Sequence, residues 1–352
     1  MRGGALKMLP GFKKRAVVKA KARTLAFSLV ELMVASAVLA LILGLVSLAI
    51  RQMASGIKTS SAKVDAFQSA RTGFEAVNRT LGIATLNTYW DYFDSDRKPR
   101  GTNTNFTPAL YGRQSDLHFL ITNSSFPTPD ELEPAGHSVF FQAPLGYFTN
   151  TAAPNPLGSL NPCGFFVAYG NDPTKPNIQE LLNRPRFRLY QWLPSSESLA
   201  VDPSLGRITS AAWIAPTNAL QPLAENIIAF VVRVPSFGTN GFSTSATNYW
   251  WNSLTNWASG AAQPAQMHQL PPLVNVTMVA VEEGAANRLI GNSASAATAA
   301  SAMGITNFAE LFANPSAYDT DLAALESGLS SKGVPYRVFT TTIPLRGSRW
   351  SP

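Results

Sequence analysis

A single carboxylate, Glu31, lies near the beginning of an otherwise uncharged apolar segment, 27–50, which ends at Arg51. A charged side chain at membrane depth costs about 2.5–3.5 kcal/mol on insertion scales, so it normally has both a partner and a purpose. A cationic amine in the same hydrocarbon layer would suit it, because a matched pair costs less than two unpaired charges. The chemistry that this position predicts is therefore ion pairing at membrane depth.

The residues before the apolar segment are strongly basic. Segment 1–26 contains eight Lys and Arg residues and no acidic residue. Without it, 20 of the 28 basic residues remain against 21 acidic ones, so the formal charge of +7 falls to about −1. The basic residues thus act as a topology signal that keeps the leader in the cytoplasm. They do not indicate a nucleic-acid partner.

A basic leader, a small residue, a phenylalanine and a glutamate at the fifth position of an apolar helix resemble the type IV prepilin signal. The resemblance implies that a prepilin peptidase on the cytoplasmic side cuts between Ala26 and Phe27. It also implies that the new amine of Phe27 is methylated, and that Glu31 offsets the positive N-terminus of a neighbouring subunit during assembly. The commonest residue before the cut is glycine, from which Ala26 departs.

Further segments resemble the cassette protein C family of Verrucomicrobia-type bacteria, itself similar to the minor pseudopilin J of type II secretion. The resemblance extends from Phe27 to the C-terminus and implies a non-enzymatic subunit of a type IV pilus-like or type II secretion-like filament. The segments that carry it are 74–81, 84–92, 184–191, 222–228, 270–274 and 336–347.

The resemblance also implies a location and a set of partners. The precursor is expected to be a single-pass inner-membrane protein with its leader in the cytoplasm and its head in the periplasm. Its partners would be the prepilin peptidase, other pilins or pseudopilins along the N-terminal helix, and the inner-membrane assembly machinery. A head of about 260 residues is large for a repeating subunit, which favours a position at or near the tip of a periplasmic or extracellular filament.

Three acidic residues, Asp91, Asp94 and Asp96, could supply oxygen ligands to Ca²⁺. The segment lacks the turn glycine and the distal glutamate of a complete calcium loop. Lys98 and Arg100 follow directly and would neutralise the three carboxylates. A solvated turn is therefore the favoured interpretation, with a metal site as the alternative.

The other residues with catalytic potential are isolated. His118, His137 and His268 lack a second ligand at metal spacing, so structural or surface roles are expected and no cofactor is implied. Cys163 is the only cysteine, so it cannot form an internal disulfide, and its apolar surroundings favour a buried position.

The elements that would position Glu31 begin with the apolar segment itself. Its 24 residues would span about 36 Å as a helix, which is long enough to cross a bilayer. An ordinary secretory signal cleaved after Ser47-Leu48-Ala49 is the alternative. The length of the segment and the charge inside its beginning oppose that alternative.

Segment 51–88 is expected to continue the same helix. It contains no proline before residue 88, and one stripe of apolar residues recurs at helical spacing. Gly56 and Gly73 are candidate bends, because glycine weakens a helix interior. The stripe consists of Ile57, Val64, Phe67, Phe74, Val77 and Leu81.

Residues 89–352 change to short apolar runs separated by turn residues, which predicts a β-rich head. Arg186–Leu193 alternates as a half-exposed strand should, and Ile227–Val232 is apolar on both faces, as in a central strand. The predicted fold class is therefore α+β and pilin-like, with a long N-terminal helix on an antiparallel head. The predicted strands are Leu117–Thr122, Ser138–Gln142, Phe165–Tyr169, Phe187–Trp192, Ile227–Val234, Leu273–Val281 and Arg337–Ile343.

A loop insertion is expected around 238–269, with three tryptophans, Trp250, Trp251 and Trp257, that could either pack in the core or dock a partner. Segment 293–302 could be a loop or a short helix. A late helix is expected at 307–312 or 319–329.

Two further functions compete with the filament subunit. A membrane-anchored exported binding protein or enzyme could use the helix only as a tether. A minor pilin for DNA uptake would need a basic, aromatic patch, and the near-neutral charge beyond the leader opposes it.

Overall fold

The computed structural model describes residues 28–100, 105–123, 128–129, 132–149, 159–173, 184–198, 201–202, 207–208, 219–238 and 241–348. Side chains are described at these positions except for 55–66, 201–202, 207–208, 237–238 and 241–246. The chain divides into two compact units at the junction between Ile57 and Lys58. An N-terminal apolar helix precedes antiparallel sheets, so the fold class is α+β.

Helix α1 comprises 53 residues, Leu29–Leu81. It ends short of residue 88, in a turn where the Gly82 N–H donates to the Asn78 carbonyl at 3.0 Å. In the second unit, the predicted apolar stripe is confirmed where side chains are described. Phe74, Val77 and Leu81 are buried, and Phe67 packs at the edge of the core. The side chains of Ile57 and Val64 lie outside the described set.

Gly73 allows α1 to approach the sheets closely. A Cβ atom at this position would lie 3.2 Å from the Ala224 Cβ and 3.6 Å from the Leu189 Cδ2. One residue later, the Phe74 and Phe339 ring centroids are 5.7 Å apart. Glycine at position 73 therefore allows the helix to pack closely against Ala224 and Leu189.

Fourteen strands are assigned within the described residues. They are β1 Tyr89–Phe93, β2 Leu110–Gln114, β3 Leu120–Thr122, β4 Leu132–Pro144, β5 Leu160–Gly170, β6 Arg186–Trp192, β7 Val201–Asp202, β8 Arg207–Ile208, β9 Leu220–Glu225, β10 Ile227–Gly238, β11 Gly241–Asn248, β12 Trp251–Asn252, β13 Leu273–Val281 and β14 Tyr336–Pro344. All pairs are antiparallel, and every predicted strand overlaps an observed one.

The larger sheet has six strands in the order β12-β3-β4-β5-β6-β9, and the smaller has four in the order β11-β10-β13-β14. β10 contacts β4, β5 and β6, so the apolar core lies between the two sheets. As predicted, β10 is a central strand, and residues 227–232 are buried along their whole length. Pairs β1–β2 and β7–β8 stand apart as two-stranded ribbons.

The prediction that Arg186–Leu193 is half-exposed was wrong, because β6 is covered on both faces. Arg188 alternates with the apolar residues as expected, yet its side chain is buried. Its Nη1 donates to the Gly170 carbonyl at 2.8 Å, and its Nε lies 3.3 Å from the Glu225 Oε1. A paired and hydrogen-bonded guanidinium can occupy a buried position that an unpaired charge could not.

Three further α-helices lie within the described residues of the head. α2 spans Glu283–Ile290 and α3 spans Ala296–Ala302, where the Ser295 Oγ caps the helix by accepting from the Thr298 N–H. α4 spans Tyr318–Ser331, which confirms the late helix at 319–329. Residues 307–312 instead form turns, with positive φ angles of 54° at Asn307 and 59° at Phe312.

Candidate functional site

The first part of α1 exposes an apolar surface along its whole length. Residues Leu29–Ala54 form a helix long and apolar enough to cross a membrane, and no residue in its most apolar stretch is buried. At about 1.5 Å per residue, these 26 residues extend about 39 Å, beyond the roughly 30 Å hydrocarbon core of a bilayer.

Glu31 lies in the first turn of α1. The Ser28 Oγ accepts from the Glu31 backbone N–H at 3.2 Å, and the Ser28 carbonyl accepts from the Leu32 N–H at 3.2 Å. Ser28 thus caps the helix, as serine commonly does. A carboxylate in the first turn also interacts favourably with the helix dipole, by about 0.3–1 kcal/mol. Ala26 and Phe27 lie outside the described residues.

The three aspartates considered for calcium contact Lys98 or Arg100. The Asp91 Oδ1 lies 3.7 Å from Arg100 Nη2, and the Asp96 Oδ2 lies 3.7 Å from Lys98 Nζ. The Asp94 Oδ1 accepts from the Lys98 backbone N–H at 2.8 Å and so closes a tight turn. Within the part of the chain that the structure describes, no three His, Cys, Asp or Glu residues are placed to hold a metal ion.

Strands β1 and β2 form a two-stranded ribbon, called the ribbon below, that carries aromatic side chains. Tyr92 is paired directly with Tyr111, and their ring centroids are 5.1 Å apart. The Trp90 and Tyr111 rings are stacked, with centroids 5.5 Å apart and planes inclined by 22°. All three residues are exposed: Trp90 and Tyr92 have 49% of their surface accessible to solvent, and Tyr111 has 59%. No strand was predicted here from sequence, although aromatic enrichment such as that of Tyr-Trp-Asp-Tyr-Phe favours one.

Segment 238–269 supports the ribbon from its other face. This segment is not a simple loop, because it contains β11 and β12. The Phe93 and Trp257 rings meet edge to face at 5.2 Å, and a Cβ on Gly112 would lie only 2.9 Å from the Trp257 Cζ3. The Arg113 N–H donates to the Gln263 Oε1 at 2.8 Å, and the Gln263 Nε2 donates to the Arg113 carbonyl at 2.7 Å. The ribbon is therefore fixed in place by the segment.

The tryptophans of segment 238–269 mainly pack internally. Trp251 is buried, and its Nε1 donates to the Gln269 carbonyl at 3.1 Å. Trp257 packs on the ribbon and donates to the Ala261 carbonyl at 3.0 Å. Only Trp250 of the three has a largely exposed side chain.

Cys163 and the three histidines are buried within the head. Burial raises the pKa of the Cys163 thiol to about 12, so the thiolate needed for nucleophilic attack is scarce. The His118 Nε2 lies 2.7 Å from the Asn252 Oδ1. His137 bridges β4, β10 and the 307–312 turns through the Val232 and Phe312 backbones.

We expect His137 to remain neutral in the folded protein at mildly acidic pH. Its Nδ1 lies 3.1 Å from the Val232 backbone nitrogen, and its Nε2 lies 3.0 Å from the Phe312 carbonyl oxygen. This geometry suits the tautomer in which Nδ1 accepts and Nε2–H donates. Burial lowers the pKa of His137 from its ordinary value of 6.5. As pH falls, the unfolded chain therefore binds a proton at this histidine at a higher pH than the folded protein does. The contribution of neutral His137 to the free energy of unfolding is fully present above about pH 6.5 and decreases below it.

The measurement is an NMR titration of the His137 ring protons, together with urea unfolding between about pH 7 and pH 5. The His137→Gln variant should lose part of the decrease in unfolding free energy over that interval, whatever its stability at pH 7. A ring that titrates at or above its ordinary pKa would contradict the prediction.

No protein-family model matches this chain, and a search of curated proteins finds no similar sequence.

Proposed function

We propose that this chain is a minor pilin or pseudopilin, a structural subunit that is processed at its leader and assembled into a short membrane-based filament. The observation that carries the proposal is the exposed apolar helix Leu29–Ala54, whose only charged side chain before Arg51 is Glu31. Such a surface needs either lipid or another apolar helix to cover it. In a filament, the apolar helices of neighbouring subunits would cover this surface.

The position of Glu31 supports assembly over simple anchoring. The hydrogen bond that caps α1 uses the Ser28 hydroxyl and the backbone N–H of Glu31, so helix initiation does not require the carboxylate. A simple membrane anchor would therefore be better served by an apolar residue at position 31, because a charge raises the cost of insertion. An ion pair with the N-terminal amine of a neighbouring subunit gives the carboxylate a function.

The head is also suited to a structural role. The second part of α1 buries Ala70, Phe74, Val77 and Leu81 in the core that it shares with antiparallel strands, the arrangement expected of a pilin-like head. Cys163 and the histidines occupy internal packing positions, which supports a structural subunit more than an anchored enzyme.

The decisive experiment is mass spectrometry of the mature N-terminus after expression with a prepilin peptidase. We expect a chain that begins at N-methylated Phe27. A matched variant, Ala26→Leu, should retain the leader, because a bulky residue would occupy the position normally held by a small one. A chain that begins at Ile50, as an ordinary secretory signal would leave, would overturn the proposal.

Within this proposal, a large head favours a position at or near the filament tip, where lateral neighbours are fewer. Immunogold labelling of purified filaments should place the head at one end. Labelling spread evenly along the filament would refute the tip position while leaving the subunit proposal intact.

A further inference from the structure

The exposed apolar surface of the head is concentrated on the ribbon. Among the described residues beyond α1, six large apolar or aromatic side chains are strongly exposed, and four of these lie on β1 and β2. Scattered exposed apolar residues need no explanation, but a contiguous group on a rigid support commonly marks a binding site. The six are Tyr89, Trp90, Tyr92, Tyr111, Tyr147 and Trp250.

The three rings on one face of the ribbon form a platform, defined here as Trp90, Tyr92 and Tyr111. Cross-strand pairing and the alternation of side chains place them on the same face. Tyr111 contacts both other rings, at centroid distances of 5.1 and 5.5 Å. The Trp90 and Tyr111 rings stack on each other and the Tyr92 ring is inclined by 54° to Tyr111, so the three rings form one contiguous aromatic cluster.

Aromatic ring faces carry partial negative charge, whereas ring edges are positive. The axial C–H groups on one side of a pyranose ring carry partial positive charge and form an apolar surface. Stacking a sugar on an indole or phenol ring therefore combines electrostatic attraction with burial of apolar area. The sugar hydroxyls remain at the periphery, where they can bind water or polar side chains.

Polar side chains of both signs follow the aromatic strand. Asp96, Lys98 and Arg100 are each more than 60% exposed in their side chains. They can accept and donate hydrogen bonds to hydroxyl groups. The Lys98–Asp96 and Arg100–Asp91 ion pairs are each 3.7 Å long, and exposed pairs of this kind contribute little to stability.

The charge of the ribbon distinguishes among possible ligands. Residues 89–116 contain four acidic and four basic residues, so the formal charge of this segment is zero. A polyanion such as single-stranded DNA would require a positively charged groove beside the stacking rings. The acidic residues would also oppose contact with anionic lipids, which attract basic segments. A neutral polymer suits this electrostatic balance.

The fixed geometry of the platform further favours a preformed binding site. Trp257 packs tightly against Gly112 of the ribbon, and the Gln263 side chain bonds to both backbone groups of Arg113. The rings are therefore presented by a supported backbone, which reduces the ordering cost on binding. Three rings are too few for a stable protein interface, which typically buries about 1,200–2,000 Å².

From these observations, we propose that the ribbon binds a neutral polysaccharide by stacking sugar rings on Trp90, Tyr92 and Tyr111. This inference does not rest on the proposed filament function. It would equally apply if the helix served only as a tether, and it can fail while N-terminal processing proceeds as expected.

The test uses full-length protein in a neutral detergent and native gels that contain hydroxyethylcellulose, xyloglucan or galactomannan. Retardation by at least one of these neutral polymers is expected, with none by polygalacturonate. The double variant Trp90→Ala/Tyr111→Ala should weaken the apparent affinity by at least about tenfold, because two stacking surfaces are removed. Tyr92→Ala should give an intermediate loss.

Trp250→Ala and Tyr147→Ala are matched controls, since both remove an exposed aromatic side chain outside the platform. They should leave retardation unchanged, and circular dichroism should show that all variants remain folded. Lack of retardation by every neutral polymer would overturn the proposal, as would equal binding by the double variant. Platform-dependent binding only to oligothymidylate, or platform-dependent self-association without polysaccharide binding, would overturn it in favour of nucleic acid or a second copy.

Discussion

Replacement of Glu31 by leucine is expected to leave cleavage between Ala26 and Phe27 intact and to reduce filament incorporation by at least about tenfold. The variant helix remains apolar and retains its Ser28 cap, so membrane insertion and processing should continue. It would lack the carboxylate that we propose offsets the N-terminal amine of a neighbouring subunit. An amine left unpaired in hydrocarbon would then oppose docking, because an isolated charge there costs several kcal/mol.

The experiment compares the mature N-terminus by mass spectrometry and the filament-associated fraction by quantitative immunoblotting. Glu31→Gln should resemble Glu31→Leu, whereas Glu31→Asp should retain part of the incorporation because it preserves the charge. Ser36→Ala is the matched control, since it removes a hydroxyl that donates only to the Met33 carbonyl of its own helix. Normal incorporation of Glu31→Leu would support the tether and exclude the assembly role.

Replacement of Trp251 by alanine is expected to lower the free energy of unfolding of the head by about 3–5 kcal/mol. The Trp251 side chain is only 2% exposed, and its indole N–H donates to the Gln269 carbonyl at 3.1 Å. Its backbone pairs with Ile121 at the edge of the larger sheet. Truncation would leave a large cavity and remove the hydrogen bond to the Gln269 carbonyl at the junction of segment 238–269 with the sheet.

The adjacent residue provides the control. Trp250 is 44% exposed, so Trp250→Ala should change the unfolding free energy by no more than about 0.5 kcal/mol. Urea unfolding of the two variants, followed by circular dichroism in the same detergent, measures the difference. Equal losses at the two positions would show that burial does not explain the contribution of Trp251.

The sequence predicted the central strands of the head because their apolar residues are confined to short runs between turns. Leu273–Val281 was located with its observed bounds, and Ile227–Val234 lies within β10. These strands bury side chains along most of their length, so composition alone identifies them. The late helix at 319–329 was also found, whereas 307–312 has similar composition but positive φ angles that interrupt a helix.

The ribbon was harder to predict from sequence than the central strands. Tyr89–Phe93 contains four aromatic residues and one charged residue, and aspartates typical of loops follow it. Its support comes from Trp257 and Gln263, which lie about 150 residues away in sequence. Burial of Arg188 was missed for the same reason, because its partner Glu225 belongs to a distant strand.

The candidate site was only partly accessible from sequence. Glu31 was identified because a charge in an apolar run is a local anomaly that needs no knowledge of the fold. The platform depends on cross-strand pairing of Tyr92 with Tyr111, which the sequence does not specify by itself. Local signals therefore described the segment proposed for assembly, whereas the proposed ligand surface required the tertiary structure.

Cys163 is a free cysteine buried in the head. This residue is the only cysteine, and its side chain is fully enclosed beside the Gln191 amide. No covalent cross-link within the chain has to form or be avoided, so the folded head is chemically identical in a reducing and in an oxidising compartment. Its stability therefore does not depend on whether disulfide formation is favoured in the compartment where it folds.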